Sequence, residues 1–234
     1  EGKRKNIPNG SYTVLAADPV ILLHGASTKQ LYFTALDPKS GQTLWEHEVK
    51  QPGVAFYDGE RGFVIAGSHA DNGLELAALK ARDGTRVWSQ TLSIAPPPKG
   101  KDAKPLEIAT ARDAAHLYVA ADQVFKVAVQ TGEIIWKTAG PAGSEGVVLH
   151  PTGQGLVLHG SNRMWLLDAG KGAPRWGPVD VKGEIITVSV PEDAKGFAFL
   201  IAREKKSDGW KDTVHGLALD SGKQLWERPT AMST

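Results

Sequence analysis

Cysteine is absent from all 234 residues, and that excludes a disulfide framework, a thiolate metal site and a cysteine nucleophile. Long apolar runs are missing as well. No stretch approaches the ~18 uninterrupted apolar residues that a membrane-crossing helix requires. Charge of one sign is missing too: 27 Lys and Arg stand against 26 Asp and Glu, a formal net charge of +1. No overall field therefore draws the chain to nucleic acid or to a membrane surface, and neither is an expected partner. There is no Gly-x-Ser-x-Gly elbow, no phosphate-cradling glycine loop ending in lysine, and no dinucleotide fingerprint followed by a helix. We accordingly assign no catalytic residue, no metal ligand and no cofactor, and expect a protein that is not an enzyme. The chain opens on Glu1 with no charged-then-apolar leader, and we expect a mature or excised piece of a longer product.

What the chain does have is a repeat. Glycine followed four residues later by tryptophan occurs five times, at Gly41 and Trp45, Gly84 and Trp88, Gly132 and Trp136, Gly172 and Trp176, and Gly222 and Trp226. Successive tryptophans lie 43, 48, 40 and 50 residues apart, the period of one four-stranded propeller blade. Between them fall short β-rich runs separated by turn pairs such as Asp18-Pro19, Asp58-Gly59, Thr152-Gly153 and Asp208-Gly209. Runs such as Val20 to Leu23 are apolar throughout, as strands covered on both faces are. The outer segment from Gln42 to Val49 alternates polar with apolar, as a half-exposed edge strand does. No segment carries a helical period long enough to compete. The expected fold is all-β, a β-propeller of five four-stranded antiparallel blades. Residues 1–10 form an N-terminal tail, and residues 11–234 a single domain with blades over about 11–50, 51–94, 106–140, 144–181 and 184–230.

The spacing has a physical reason. The third strand of each unit must reverse into the fourth within a few residues, and a left-handed position in that turn favours glycine, which has no Cβ to clash. Four residues on, an indole is placed on a defined face of the fourth strand, where it can enter the seam between two blades. Burying one indole removes about 150–250 Å² from water, roughly 4–6 kcal/mol as an upper bound. The five tryptophans and five glycines are thus read as structural anchors of a unit that cannot fold alone.

Ala35-Leu36-Asp37, Gly41 and Leu44-Trp45 carry the consensus whole; Leu167-Asp168, Gly172 and Trp176, and Ala218-Leu219-Asp220, Gly222 and Leu225-Trp226, repeat it. This resembles the pyrroloquinoline-quinone-like (PQQ-like) β-propeller repeat, shared by quinoprotein dehydrogenases and by outer-membrane assembly lipoproteins of the BamB type. The resemblance runs from about Ser11 to Trp226. Lys80 and Ala128 replace the aspartate in blades two and three, and in blade five the turn reads two residues shorter, with Asp220 directly before Ser221-Gly222. The family normally closes with seven or eight blades. Five here imply either a five-bladed ring or, as we prefer, an arc of a larger propeller. The quinoprotein branch would imply a vicinal disulfide and a calcium-binding Glu–Asn–Asp set, neither of which we find, so a fragment of such a dehydrogenase is the remote reading. The non-catalytic BamB-type branch implies a protein-binding scaffold in the bacterial cell envelope, periplasmic or outer-membrane associated. An extracytoplasmic sensor domain, binding a small ligand in the central funnel, is the competing class.

For a partner-binding surface the sequence offers two segments outside the regular blades. Residues 95–105 join blades two and three and bring Lys99 and Lys101; residues 203–212 read as a loop between the second and third strands of blade five and bring Lys205, Lys206, Trp210 and Lys211. Loops joining those strand pairs emerge on one propeller face, and functional residues often sit on loops held by a rigid scaffold. Trp210 has charged neighbours and no obvious core to enter, which fits an interface hot spot. Trp165, mid-strand, reads as core. His24 and His159 hold equivalent positions, with His69 close to the same place, and read as repeated side chains bonded to backbone. Equivalent positions in different blades do not converge as metal ligands must.

Overall fold

The computed structural model describes residues 11–16, 20–26, 31–49, 55–70, 73–95, 108–140, 146–191, 196–207 and 209–230. The segment bearing Lys99 and Lys101 lies outside them, as do residues 1–10. The described residues form twenty strands and no helix, arranged as five four-stranded antiparallel sheets, each with its strands in sequence order. Sheet one holds β1 (Ser11–Ala16), β2 (Ile21–Ala26), β3 (Leu31–Leu36) and β4 (Thr43–Val49). Sheet two holds β5 (Ala55–Asp58), β6 (Phe63–Ala70), β7 (Gly73–Lys80) and β8 (Arg86–Leu92). Sheet three holds β9 (Ala109–Arg112), β10 (His116–Ala120), β11 (Gln123–Ala128) and β12 (Ile134–Ala139). Sheet four holds β13 (Val148–Thr152), β14 (Gly155–His159), β15 (Arg163–Asp168) and β16 (Pro174–Asp180). Sheet five holds β17 (Glu184–Ser189), β18 (Phe197–Lys206), β19 (Gly209–Ala218) and β20 (Gln224–Pro229). These are the blades that the repeat implies, and the all-β expectation holds.

The blades fall into two compact units. Blades one and two, with the Gln130–Glu133 turn, make the first; the rest of blades three to five make the second. In the first unit Leu22, Phe33 and Ala35 of blade one pack with Trp45 against Val64, Ala66 and Leu79 of blade two. In the second, neighbouring strands of blade four serve two different cores. Leu156, Leu158, Trp165 and Leu167 face Tyr118, Val124 and Trp136 of blade three, whereas Val157, Met164 and Leu166 face Ile185, Leu200 and Leu217 of blade five. Successive side chains point to opposite faces of a strand, so a strand with a blade on either side must be apolar at every position. That is why the inner strands read as continuous hydrophobic runs.

The joint between blades is built from the repeated glycine and tryptophan. All five turn glycines adopt the same left-handed backbone, with φ between 68° and 75°, and the turn is closed by the glycine N–H donating to the carbonyl four residues earlier, at Asp37, Lys80, Asp168 and Ala218. An ideal Cβ on Gly84 would lie 2.8 Å from the ring of Trp45, and one on Gly132 2.5 Å from Trp88, both within the first unit. Within the second unit Gly172 receives the ring of Trp136 and Gly222 that of Trp176. The indole N–H then donates to a carbonyl three residues before the receiving glycine: Trp45 to Ala81 at 2.8 Å, Trp136 to Ala169 at 3.0 Å and Trp176 to Leu219 at 2.7 Å. Glycine is required here for two reasons, the sign of φ and the space beneath the indole.

Two details depart from the sequence reading. The blade-five turn is not shortened: the hydrogen bond from Gly222 ends on Ala218, so Ala218 occupies the aspartate position and Asp220 lies inside the turn. Trp226 does not lie on the glycine of a following turn. Its ring rests on Gly216 of its own sheet, 6.0 Å from Phe199 between ring centroids.

Candidate functional site

Residues 203–206 and 209–212 are strand, not loop. They form the far end of the β18–β19 hairpin, in unbroken register from Phe197 opposite Ala218 to Lys206 opposite Gly209. Both strands are ten residues long, whereas the corresponding hairpins of blades one to four have strands of five to eight. The additional length carries the ladder beyond the core that supports its base. Ala198, Leu200 and Ala202 are buried at that base, and the charged residues begin at Arg203.

The cations of this hairpin have different fates. Arg203 lies opposite Asp212 and forks onto it through Nε and Nη2, both at 2.8 Å; the guanidinium hydrogen bonds hold the Asp212 carboxyl below the ordinary carboxylate range. Lys206 Nζ is 2.6 Å from Glu204, which Lys182 also approaches at 3.4 Å. The hydrogen bond from Lys206 lowers the Glu204 pKa. Lys205 instead lies over the face of Trp210, directly across the ladder, with Nζ 5.9 Å from the ring centroid. This is cation–π distance. Trp210 is 52 % exposed and Lys211 beside it is exposed. The structure therefore brings Lys205, Lys206, Trp210 and Lys211 to one hairpin end, with Lys205 and Trp210 on one face and Lys206 and Lys211 on the other.

Two other buried titratable groups, Lys126 and His159, meet backbone carbonyls. Lys126, buried, donates to the Ala169 carbonyl at 2.8 Å, the same acceptor that Trp136 uses. His159, also buried, sets Nδ1 3.1 Å from the Gly160 carbonyl and stacks on His150 with ring centroids 5.4 Å apart. Sequence reasoning did not couple these two histidines. The register gives the cue afterwards, since Val148 lies opposite His159 and His150 opposite Val157. Among the described residues no group of three or more His, Cys, Asp or Glu is placed to hold a metal ion, and no helix is long and apolar enough to cross a membrane. Trp165 is buried in the core shared by blades three and four.

Comparison with known proteins gives a family-model match to the outer membrane protein assembly factor BamB over residues 29–95 and 70–234. Among solved structures the chain is similar to BamB from Moraxella catarrhalis, at 16% identity and TM-score 0.50, covering 95% of this chain and 76% of that one. It is similar to the Dos1 propeller at 13% identity and TM-score 0.63, covering 98% and 63%. Hsv2 from Kluyvelomyces marxianus is similar at 9% identity and TM-score 0.52, covering 91% and 62%. At these identities the structural likenesses establish the propeller fold. No curated protein matches.

Proposed function

We propose, from the premise that this chain belongs to the PQQ-like repeat family of the outer membrane protein assembly factor BamB, that it is a non-catalytic protein-docking propeller of the bacterial cell envelope. The observation that carries the reading is the extended β18–β19 hairpin with Trp210 exposed at its end and Lys205 over the indole. A large aromatic held in water by a rigid ladder is already ordered for contact, so little conformational entropy remains to be lost on binding. Tryptophan is also among the residues that dominate interface energies. Lys205 supplies a cation on the Trp210 face of the hairpin, and Lys206 and Lys211 supply cations on its opposite face. An extracytoplasmic, outer-membrane-associated location follows from family membership and belongs to the same proposal.

The test is a photo-crosslinking residue at position 210 of the full chain in cells, with captured proteins compared against the Trp210→Ala variant in an affinity pull-down. The expected result is one dominant envelope protein, whose recovery falls about tenfold or more without the indole. The melting curve should stay within about 0.5 kcal/mol of the unaltered protein, as for an exposed position. Equal recovery from the two proteins would move the docking surface elsewhere.

A further inference from the structure

Val181, Lys182 and Gly183 connect β16 of blade four to β17 of blade five. The connection is held from both sides. The Val181 N–H donates to the Asn162 carbonyl at 2.8 Å and the Ile185 N–H to that of Ser161, both acceptors lying in the turn between β14 and β15. Toward blade five it runs directly against β18, since a Cβ on Gly183 would lie 2.6 Å from the Arg203 carbonyl oxygen. Lys182, with its side chain 76 % exposed, is thereby fixed beside the end of the β18–β19 hairpin.

Three lysines meet one carboxylate at this corner. Glu204, Lys206 and Lys211 lie on the hairpin face opposite to Trp210, because side chains alternate along a strand and paired residues share a face. Glu204 has Lys206 Nζ at 2.6 Å and Lys182 Nζ at 3.4 Å, and Lys211 lies directly across the ladder from it. The Lys206 hydrogen bond, with the charges of Lys182 and Lys206, holds the Glu204 carboxyl below its ordinary range. Among the described residues no second carboxylate pairs with any of the three lysines. Asp180, two residues before Lys182, accepts from Arg163 at 2.8 Å, and Asp212 is taken by Arg203 on the other face. The corner is thus short of negative charge in a chain whose formal net charge is only +1.

The number of cations and their spacing select the ligand. Anionic membrane surfaces are held by clusters of about four to eight Lys and Arg, and nucleic acid by basic domains of pI above about 9. Three lysines in a chain of pI about 8.2 meet neither condition. Two of these ammonium groups already close on a single carboxylate, that of Glu204, so the spacing suits carboxylates.

We infer that the docking partner presents an Asp- or Glu-rich segment to this corner, its carboxylates meeting Lys182, Lys206 and Lys211, which Glu204 neutralises only in part. The inference rests on the docking reading above and adds the partner's chemistry. The lysines reach into water, so each ion pair is weak, and together they speed encounter and fix orientation. The anchored connection and the ladder hold the cations in place before binding, which lowers the ordering cost.

Fluorescence anisotropy on the full chain tests this, with a labelled peptide of alternating Glu and Ser and its Gln-for-Glu counterpart as probes. The unaltered protein should bind the Glu peptide and not the Gln peptide, and binding should weaken about tenfold between roughly 0.02 M and 0.3 M salt. Glu204→Gln frees the lysines and should tighten binding about threefold, whereas the Lys182→Gln, Lys206→Gln double variant should weaken it about fivefold. Superimposable melting curves show that these variants remain folded. Trp210→Ala, on the opposite face, should bind the peptide as the unaltered protein does. Binding that ignores Glu204, Lys182 and Lys206, or that is equal for the two peptides, overturns the inference and leaves the docking reading standing. Tighter retention of anionic-lipid vesicles or of a single-stranded oligonucleotide at the same salt also overturns it. A pull-down indifferent to Trp210, with every peptide result as expected, overturns the docking reading instead.

Discussion

Gly172 and Gly41 share a backbone conformation, both at φ 68°, but not an environment: the ring of Trp136 lies on the first, and nothing within 4 Å would meet a Cβ on the second. An alanine at either position is subject to the left-handed penalty, roughly 1–2 kcal/mol. Only at Gly172 does it also push into a packed ring, which adds roughly 1–3 kcal/mol. Urea titrations of dilute Gly41→Ala and Gly172→Ala should therefore differ by about 1–3 kcal/mol, with Gly172→Ala the less stable. Equal losses would mean that the turn, and not the indole, selects glycine. The same comparison explains what could be read from the sequence. Glycine and tryptophan each had a chemical reason to recur, so the repeat was visible, whereas the aspartate was a poor guide to register. In blade five Asp220 mimicked a consensus that the hydrogen bond from Gly222 assigns to Ala218.

At the scale of the element, the β13–β14 pair carries two stacked imidazoles in a largely apolar setting. Burial pushes the His150 pKa down, with a smaller push from neighbouring His159; burial also lowers His159, partly opposed by its hydrogen bond to the Gly160 carbonyl. Both prefer to be neutral in the folded protein. An unfolded histidine titrates near about 6.5, so the unfolded chain binds more protons than the folded one below that pH. Their contribution to stability is full above about pH 6.5 and is lost as pH falls through the lowered folded values. Melting temperature should drop on acidification from pH 7.5 to 5, and a His150→Gln variant should show a shallower drop. An unchanged slope in that variant would assign the acid sensitivity to other groups. The β18–β19 hairpin shows the limit of sequence reading at this scale. Arg203, Glu204, Lys205, Lys206 and Lys211 have the composition of a solvated loop, and no apolar alternation marks a strand that extends past its core. Cross-strand pairing of Arg203 with Asp212, and of Lys205 with Trp210, holds it instead.

The whole molecule is a tandem array in two compact units, and stability in such arrays is a sum over repeats and their nearest-neighbour joints. Trp136→Ala empties a joint in the second unit, costing about 3–5 kcal/mol there. Hydrogen exchange should accelerate at Val124, Leu156 and Leu158, which share that core, while Leu22 and Phe33 of the first unit keep their protection. Uniform acceleration through both units would show one all-or-none body. Five sheets were legible at this scale because each carried its own punctuation, while the division into two units has no signature in the repeat.

The two-sided burial of β14 and β15 has a last consequence. A strand that is oily on one side only is corrected when it slips by one residue, since its apolar set is then turned toward water. Val157 and Leu158, committed to opposite cores, would merely exchange destinations, and hydrophobicity alone would not register the mistake. The counting falls to a turn residue of opposite hand that recurs at the same place in every blade: the left-handed glycine before each tryptophan keeps the reading frame of a sheet whose strands have no wrong side.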